Sequence, residues 1–171
     1  MLELKERPMT TVVEIAPRHD RELVIARLIE ASPQALYRCW TEPELLEQWF
    51  APKPLTTKVV RQDLRVGGGQ SITMKSPDGQ EFPAGDGVYL ALEPGRRVVF
   101  TSAFAEGWVP QPGDFQFVGD ISFEPQADGR TLYVARAGHW DAATTQKHRA
   151  MGFHEGWGQC AEQLAEVAKG L

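Results

Sequence analysis

Apolar and polar positions repeat with two different periods along this chain, and each change of period marks a change of element. Residues 23–29 are apolar and rich in β-branched side chains, which is typical of a strand. Ser32 and Pro33 then predict a helix start, because serine caps free backbone N–H groups and proline fits the first helical position. Thr41 and Pro43 repeat this signal, so we expect a second short helix directly after the first.

After Pro54 the chain changes to the period of strands, with turn residues between short β-rich runs. The glycines at 67–69 can adopt the positive φ values that tight hairpins require. Residues 105–118 contain prolines and glycines around Trp108, and we expect a long loop there. The pattern predicts an antiparallel meander with strands at residues 56–64, 70–75, 87–92, 97–104, 119–124 and 130–137.

Helical spacing begins at about residue 142 and continues towards the end of the chain. Apolar residues there recur three or four positions apart, at Phe153, Trp157, Cys160, Ala161, Leu164, Val167 and Ala168. This spacing predicts one long C-terminal helix with a single apolar face. Together the elements predict an α+β fold, in which this helix covers a curved antiparallel sheet of six or seven strands.

Length and charge limit the organisation and the partners. The 171 residues are enough for one domain with its own core, which we assign to residues 21–171. Residues 1–20 are expected to form a loose arm or an extra edge strand, which can pair within one chain or between the two chains of a homodimer. The net charge of -5, with both signs interspersed, argues against a nucleic-acid partner.

The start of the chain resembles no targeting signal. It is charged from Glu3 onward and contains no apolar stretch like a signal peptide or a membrane span. A cytoplasmic protein is therefore expected.

Side chains that could carry chemistry are few. Cys39 and Cys160 share no short spacing with each other or with a histidine pair, which favours two buried thiols over a disulfide. His148 and His154 are six apart on the predicted helix, so they point about 240° away from each other, unlike metal ligands at i and i+4. We therefore predict no metal, no cofactor and no catalytic residue, although the histidines lie in a polar cluster with His139, Asp141 and Glu155.

Aromatic residues dominate the candidate binding site, because small-molecule pockets are mainly apolar with a few polar groups. Alternation along residues 97–104 places Phe100 and Phe104 on one face of a strand, which we assign inward. His154 follows Phe153 and is a candidate general base or hydrogen-bond donor at the edge of the cavity. For each aromatic residue, ordinary core packing is the alternative. The predicted ligand-binding residues are Trp49, Phe50, Met74, Tyr89, Phe100, Phe104, Trp108, Phe153, His154 and Trp157.

The order of several short motifs resembles the START-like, or SRPBCC, superfamily, and within it the family named after the activator of Hsp90 ATPase. The resemblance covers about residues 21–170. The matching segments are Ile29-Glu30-Ala31-Ser32-Pro33, Trp40-Thr41-Glu42-Pro43-Glu44-Leu45-Leu46, Trp49-Phe50, Asp63-Leu64-Arg65-Val66-Gly67-Gly68, Asp78-Gly79, Val98-Val99-Phe100-Thr101 and Gly156-Trp157. The resemblance implies a helix-grip fold, in which a bent antiparallel sheet and a long C-terminal helix enclose an apolar cavity. Trp49 and Phe50 are expected at the rim of this cavity.

Our leading functional hypothesis is a non-catalytic protein that binds a hydrophobic or aromatic small molecule in this cavity. One alternative is a cyclase-type or hydrolase-type enzyme that uses His154 or a pocket carboxylate. A second is an Hsp90-type co-chaperone module. A third is a stress-related interaction module, for which a large exposed apolar patch would be the discriminating observation.

Overall fold

The computed structural model, which describes residues 8–171, contains a bent antiparallel sheet packed on a C-terminal helix. The helices are α1 (Pro33–Thr41), α2 (Pro43–Leu46), α3 (Ala142–Ala150) and α4 (Phe153–Lys169). The strands are β1 (Thr10–Val13), β2 (Glu22–Ile29), β3 (Thr56–Gln62), β4 (Gly69–Lys75), β5 (Glu81–Glu93), β6 (Arg97–Thr101), β7 (Phe104–Ala105), β8 (Val109–Pro110), β9 (Val118–Pro125) and β10 (Thr131–Gly138). The predicted α+β helix-grip fold is confirmed.

The main sheet has eight strands in the order β1-β2-β10-β9-β6-β5-β4-β3, and β7 pairs with β8 in a separate hairpin. The main sheet therefore exceeds the predicted six or seven strands, since residues 10–13 join it as an edge strand along β2. Strand β5 is also longer than predicted, because its first half pairs with β4 and its second half with β6. Among the described residues, no helix is long and apolar enough to cross a membrane.

The start signals of the first two helices act as the sequence predicts. The Ser32 hydroxyl accepts a hydrogen bond of 3.1 Å from the backbone N–H of Ala35, and Pro33 occupies the first turn of α1. Pro43 likewise occupies the first turn of α2.

The predicted long C-terminal helix is confirmed as α4, but it does not begin near residue 142, because the chain breaks between α3 and α4 at Gly152. Gly152 has a φ of +90°, which a right-handed helix cannot contain and which glycine adopts without steric cost. Asp141 caps α3 by accepting a 2.6 Å hydrogen bond from the backbone N–H of Thr144. His148 and His154 thus lie on different helices, and the angle predicted between them does not apply.

The predicted strand 97–104 is also too long, because β6 ends at Thr101. The Thr101 hydroxyl donates to the carbonyl of Phe117 at 3.0 Å and accepts from the backbone N–H of Ala103 at 3.1 Å, which turns the chain. Phe104 therefore belongs to β7, and it is not among the described residues that pack against the main core, whereas Phe100 is. Strand β3 likewise ends at Gln62, before the predicted residue 64.

The core lies between the concave face of the sheet and helices α1 and α4. Helix α4 contributes the small or compact buried residues Ala161, Leu164, Ala165 and Ala168. The loop after α2 is attached to α4 by Gln163, whose side-chain amide donates to the carbonyls of Trp49 at 3.0 Å and Ala51 at 2.7 Å. This attachment fixes the position of the two predicted rim aromatics.

Gly119 on β9 lets the ring of Phe100 lie directly on the sheet. The two residues are opposite each other in the pairing of β6 with β9. A Cβ atom at Gly119 would lie 2.3 Å from Cζ of Phe100, closer than any real contact. The absence of a side chain at Gly119 therefore determines where the Phe100 ring sits.

We expect Gly119→Ala to lower the free energy of unfolding by about 1–3 kcal/mol, because the added methyl group displaces the Phe100 ring. Urea denaturation measures this change. The matched control is Gly138→Ala on β10, where the nearest atom to an added Cβ is the Val118 carbonyl oxygen at 3.9 Å. If Gly119→Ala is equally costly in a Phe100→Ala background, the clash is not the cause.

Candidate functional site

A continuous row of aromatic rings lies between the sheet and helices α1 and α4, and we call it the aromatic belt. Neighbouring ring centroids are separated by 4.6 Å (Phe153 to Trp157) to 6.4 Å (Phe100 to Phe117). Each ring therefore contacts the next at the distances typical of aromatic pairs. In spatial order the belt consists of Trp49, Phe50, Trp40, Phe100, Phe117, Trp157 and Phe153.

Five parts of the chain supply these rings. Trp40 comes from α1, Phe100 from β6, and Phe117 from the residue before β9. Phe153 and Trp157 are four residues apart on α4, so they share one face of the helix. Trp49 and Phe50 follow α2, on the loop held by Gln163.

The rings of the belt differ in exposure. Trp40, Trp49 and Phe153 are buried, but Phe50, Phe100, Phe117 and Trp157 are only partly buried although they pack against the main core. The rings of Phe123 and Tyr133 in the same core are 2% and 3% exposed. Four of the seven belt rings are therefore partly open to solvent, and we take the belt as the candidate ligand site.

The belt brings together Trp49, Phe50, Phe100, Phe153 and Trp157 of the predicted ligand-binding residues. Trp49 is 3% exposed and donates its indole N–H to the carbonyl of Cys39 at 3.0 Å. It thus lies in the core and not at the rim, because this hydrogen bond turns the indole inward.

Tyr89 lies beside the belt, opposite Phe100 in the pairing of β5 with β6. Its hydroxyl accepts hydrogen bonds from the side-chain amides of Gln62 at 2.9 Å and Gln70 at 2.6 Å. Burial raises the pKa of Tyr89 to about 12, although the hydrogen bond from Gln62 opposes this. These three side chains form a neutral polar group on the concave face of the sheet. Gln62 and Gln70 are not among the predicted ligand-binding residues.

The other predicted site residues lie outside the belt. Phe104 and Trp108 contact each other at 5.9 Å on the β7–β8 hairpin, where Trp108 is 51% exposed. Met74 is partly buried on β4, opposite Thr57 of β3. His154 is exposed and contacts the ring of Phe153 at 5.1 Å. Ligand contact by these residues remains a prediction.

A buried histidine pair adjoins the α4 end of the belt. Nε2 of His139 lies 2.9 Å from Nδ1 of His148, and Nδ1 of His139 lies 2.9 Å from the carbonyl oxygen of Arg21. The two histidines are 4% and 6% exposed. The His148 ring contacts belt residues Phe117 at 4.9 Å and Trp157 at 5.9 Å, and also Phe115 at 4.8 Å.

Burial, together with the charges of the neighbouring His139 and His154, lowers the pKa of His148 to about 4. His148 is therefore neutral at pH 7. Among residues 8–171 no group of three or more His, Cys, Asp or Glu side chains is arranged to hold a metal ion.

Sequence reasoning missed Phe115 and Phe117, and it placed His139 and His148 in one polar cluster without predicting their hydrogen bond. The spacing of Phe115 and Phe117 is a usable signal, since residues two apart on an extended segment share a face. No comparable signal links His139 with His148, because one follows β10 and the other lies on α3.

Neither cysteine offers a reactive thiol. Both are free, with Cys39 buried and Cys160 partly buried. Burial raises the pKa of Cys39 to about 11 and that of Cys160 to about 12. Because the thiolate is the nucleophilic form, both thiols are unreactive at neutral pH.

Two open pockets lie on other parts of the surface. One of about 430 Å³ lies between α2 and the start of β3, and Glu47, Lys53 and Thr57 are among its lining residues. The other, of about 290 Å³, lies beside β1 and β2, and it is lined in part by Arg149 and His154. His154 thus faces a surface groove that no ring of the belt lines.

The chain matches the family model of activator of Hsp90 ATPase homolog 1-like proteins over residues 30–169. It is also similar to the solved structure of a Nitrosomonas europaea protein, with 34% identity and a TM-score of 0.83, over 90% of this chain and 97% of that one. No curated protein matches the chain.

Two further solved structures, each less than a quarter identical, show the fold alone. One is an Arthrobacter aurescens protein with 21% identity and a TM-score of 0.78, covering 95% of this chain and 93% of that one. The other is the AHSA1 protein of Silicibacter pomeroyi, with 22% identity and a TM-score of 0.64, covering 88% and 99%.

We expect the protein to lose stability as the pH falls from 6.5 towards 4. His148 has a pKa of about 4 in the folded chain against an ordinary value of 6.5, so in this window the unfolded chain binds a proton that the folded chain excludes. The full loss is about 3 kcal/mol in the free energy of unfolding. Urea denaturation across this pH window measures it.

His148→Phe should flatten this part of the pH profile, while His19→Gln, a change at an exposed histidine, should leave it in place. A wild-type profile that is flat between about pH 6.5 and 5 would contradict the assignment.

Proposed function

This chain belongs to the activator of Hsp90 ATPase homolog 1-like family, and from that membership we propose that it binds a hydrophobic or aromatic small molecule on the aromatic belt. Proteins of this family commonly bind ligands in a cavity. The observation that carries the proposal is that four rings of the belt, Phe50, Phe100, Phe117 and Trp157, are only partly buried although they pack against the core.

The driving force would be the removal of this aromatic surface from water. Each Å² of apolar surface that a ligand covers contributes about 25 cal/mol. The partly buried rings adjoin one another through Trp40 and Phe117, so one planar ligand can contact several of them. An aromatic ligand would extend the row of ring contacts already present.

The neutral polar side chains next to the belt favour an uncharged ligand. Tyr89 and His148 are both neutral at pH 7, because burial raises the pKa of the first and lowers that of the second. Neither can offer the opposite charge that a buried ion needs. The enzymatic alternative through His154 gains no support from this geometry, since His154 is exposed and faces the surface groove.

One further observation favours a second candidate function, a stress-related protein-interaction module, and the family name makes Hsp90 the first partner to test. Val66, Trp108 and Val109 are all 51% exposed or more, and we call them the apolar corner. The indole of Trp108 lies against Gly67, next to Val66. Glu106 forms ion pairs with Arg61 at the end of β3 and with Arg65 after it, which connects this part of the chain to the segment that contains Trp108. Exposed apolar residues held together in this way are typical of interaction surfaces.

We expect an uncharged aromatic probe, N-phenyl-1-naphthylamine, to bind the full chain, raise its melting temperature and quench its tryptophan fluorescence. Trp157→Leu should weaken binding roughly ten-fold, because the ligand loses one partly exposed ring of the belt. Fluorescence titration measures both affinities.

The control for this experiment is Trp140→Leu, the same change at a residue that is 56% exposed and outside the belt. It should leave the affinity for the probe within about two-fold of the wild-type value. Equal weakening by both variants, or no binding to the wild-type chain, would contradict the proposal.

For the second candidate, we expect the chain to raise the ATPase rate of a purified Hsp90. Val109→Ser in the apolar corner should weaken the apparent affinity about five-fold or more, because a buried interface contact is lost. The matched variant Val60→Ser changes a valine on β3 that is 65% exposed, and it should have no effect. An ATPase rate that the chain does not change would rule out Hsp90 as the partner.

A further inference from the structure

We propose that the groove beside β1 and β2 binds a small carboxylate with an apolar tail, whose carboxylate group is held by the guanidinium group of Arg27. This groove has a volume of about 290 Å³, and no ring of the aromatic belt lines it. The proposal therefore concerns a second site, and it stands or falls separately from ligand binding on the belt. It follows from the position of one arginine that is largely buried and has too few acceptors.

Arg27 points into the interior of the protein. Along β2, Ile25 and Ile29 belong to the main core, whereas Ala26 belongs to a separate cluster on the other face of the sheet. Alternation therefore places Arg27 on the concave face. Its guanidinium group lies against α4, since a Cβ atom at Gly158 would lie 2.8 Å from Nη2 of Arg27. The absence of a side chain at Gly158 thus makes the space that the guanidinium group occupies.

The guanidinium group of Arg27 has fewer acceptors than it has N–H groups. Nη1 donates to the backbone carbonyl of Ala26 at 3.0 Å, and Nε is buried without a hydrogen-bond partner. A carboxylate oxygen of Glu162 lies 3.8 Å from Nε, beyond hydrogen-bond distance, and the other oxygen accepts from the hydroxyl of Thr10. The Arg27 side chain is only 13% exposed. Because arginine is always charged and a buried charge needs hydrogen-bonded partners, Arg27 has room for a further acceptor.

Nη2 of Arg27 can be reached from the groove. Within residues 8–171 Nη2 likewise has no acceptor, but unlike Nε it is not a buried atom, so solvent reaches it. Arg27 and His154 both line the groove. Gly158, which lies against Nη2, follows His154 by four residues, so the two share one face of α4. An anion in the groove can therefore contact the guanidinium group.

The other lining residues of the groove fit an apolar monoanion. Val13 and Ile15 offer apolar contacts on the side of β1, and Arg149 is a second cation. Among the described residues that line the groove, Glu14 is the one acid, so two arginines leave one net positive charge. A guanidinium group binds a carboxylate through two parallel hydrogen bonds, which a neutral hydroxyl cannot reproduce. The charge and the apolar lining together select a carboxylate with a short hydrocarbon chain.

Hexanoate and 1-hexanol test the ligand class, because their chains have the same length and only hexanoate is charged. In a ¹H–¹⁵N NMR titration of the full chain, we expect hexanoate to shift the signals of the Arg27 Nε–H and the Gly158 amide. The affinity read from these two signals should be about ten-fold or more higher for hexanoate, which is the range of a charge-assisted hydrogen bond. Equal affinities, or hexanoate that leaves both signals in place, overturn the proposal.

Gly158→Ala and Gly156→Ala form a matched pair on α4. Both replace a helical glycine with a better helix former, so both should keep the melting temperature of the wild-type chain or raise it. Only Gly158→Ala places a methyl group against Nη2 of Arg27, whereas a Cβ atom at Gly156 meets no atom within 4 Å. Gly158→Ala should weaken hexanoate binding about five-fold or more, and Gly156→Ala should leave it within about two-fold. Hexanoate binding that both variants retain contradicts the proposal.

Arg27→Gln removes the charge and should abolish the preference for hexanoate over 1-hexanol. Arg96→Gln is the control, since Arg96 is an exposed arginine between β5 and β6, and it should keep the preference. A preference that survives Arg27→Gln overturns the proposal. If Arg27→Gln does not fold, the wild-type titration and the two glycine variants decide it.

Discussion

The packing of helix α4 on the concave face of the sheet is the constraint on which the rest of the structure depends. At its C-terminal half, α4 presents Ala161, Ala165 and Ala168, whose small side chains allow the helix to approach closely. At its N-terminal half it presents Phe153 and Trp157, and the space there is filled by aromatic rings from α1, β6 and the segment before β9. The change from small to large residues along one helix thus produces both a tight core and an aromatic belt that solvent reaches.

This arrangement also explains why the site contains so little ionic chemistry. Groups next to the belt lose their hydration, which disfavours their charged forms and moves the pKa of Tyr89 and both thiols up and that of His148 down. The ion pairs of Glu106 with Arg61 and Arg65 involve arginine side chains that are largely exposed to solvent. A neutral, aromatic and partly open surface suits recognition by apolar contact and a few hydrogen bonds.

The fold is shared with proteins that are only 21–34% identical to this chain, so the fold by itself does not define a ligand. What distinguishes one such protein from another is the set of side chains on the concave face. In this chain those are the belt rings, the Tyr89 group and the histidine pair.

The sequence by itself determined the order of the elements, the starts of α1 and α2, and the α+β class, because alternation, capping residues and turn glycines act over a few neighbouring positions. It also identified most rings of the belt, since large aromatic side chains in a domain of this size belong to the core or to a binding site. It did not reveal that Thr101 ends β6, that Phe117 links Phe100 to Trp157, or that His148 meets His139. Only the tertiary structure decided these points, because each depends on contacts between residues of different elements and on the burial those contacts create.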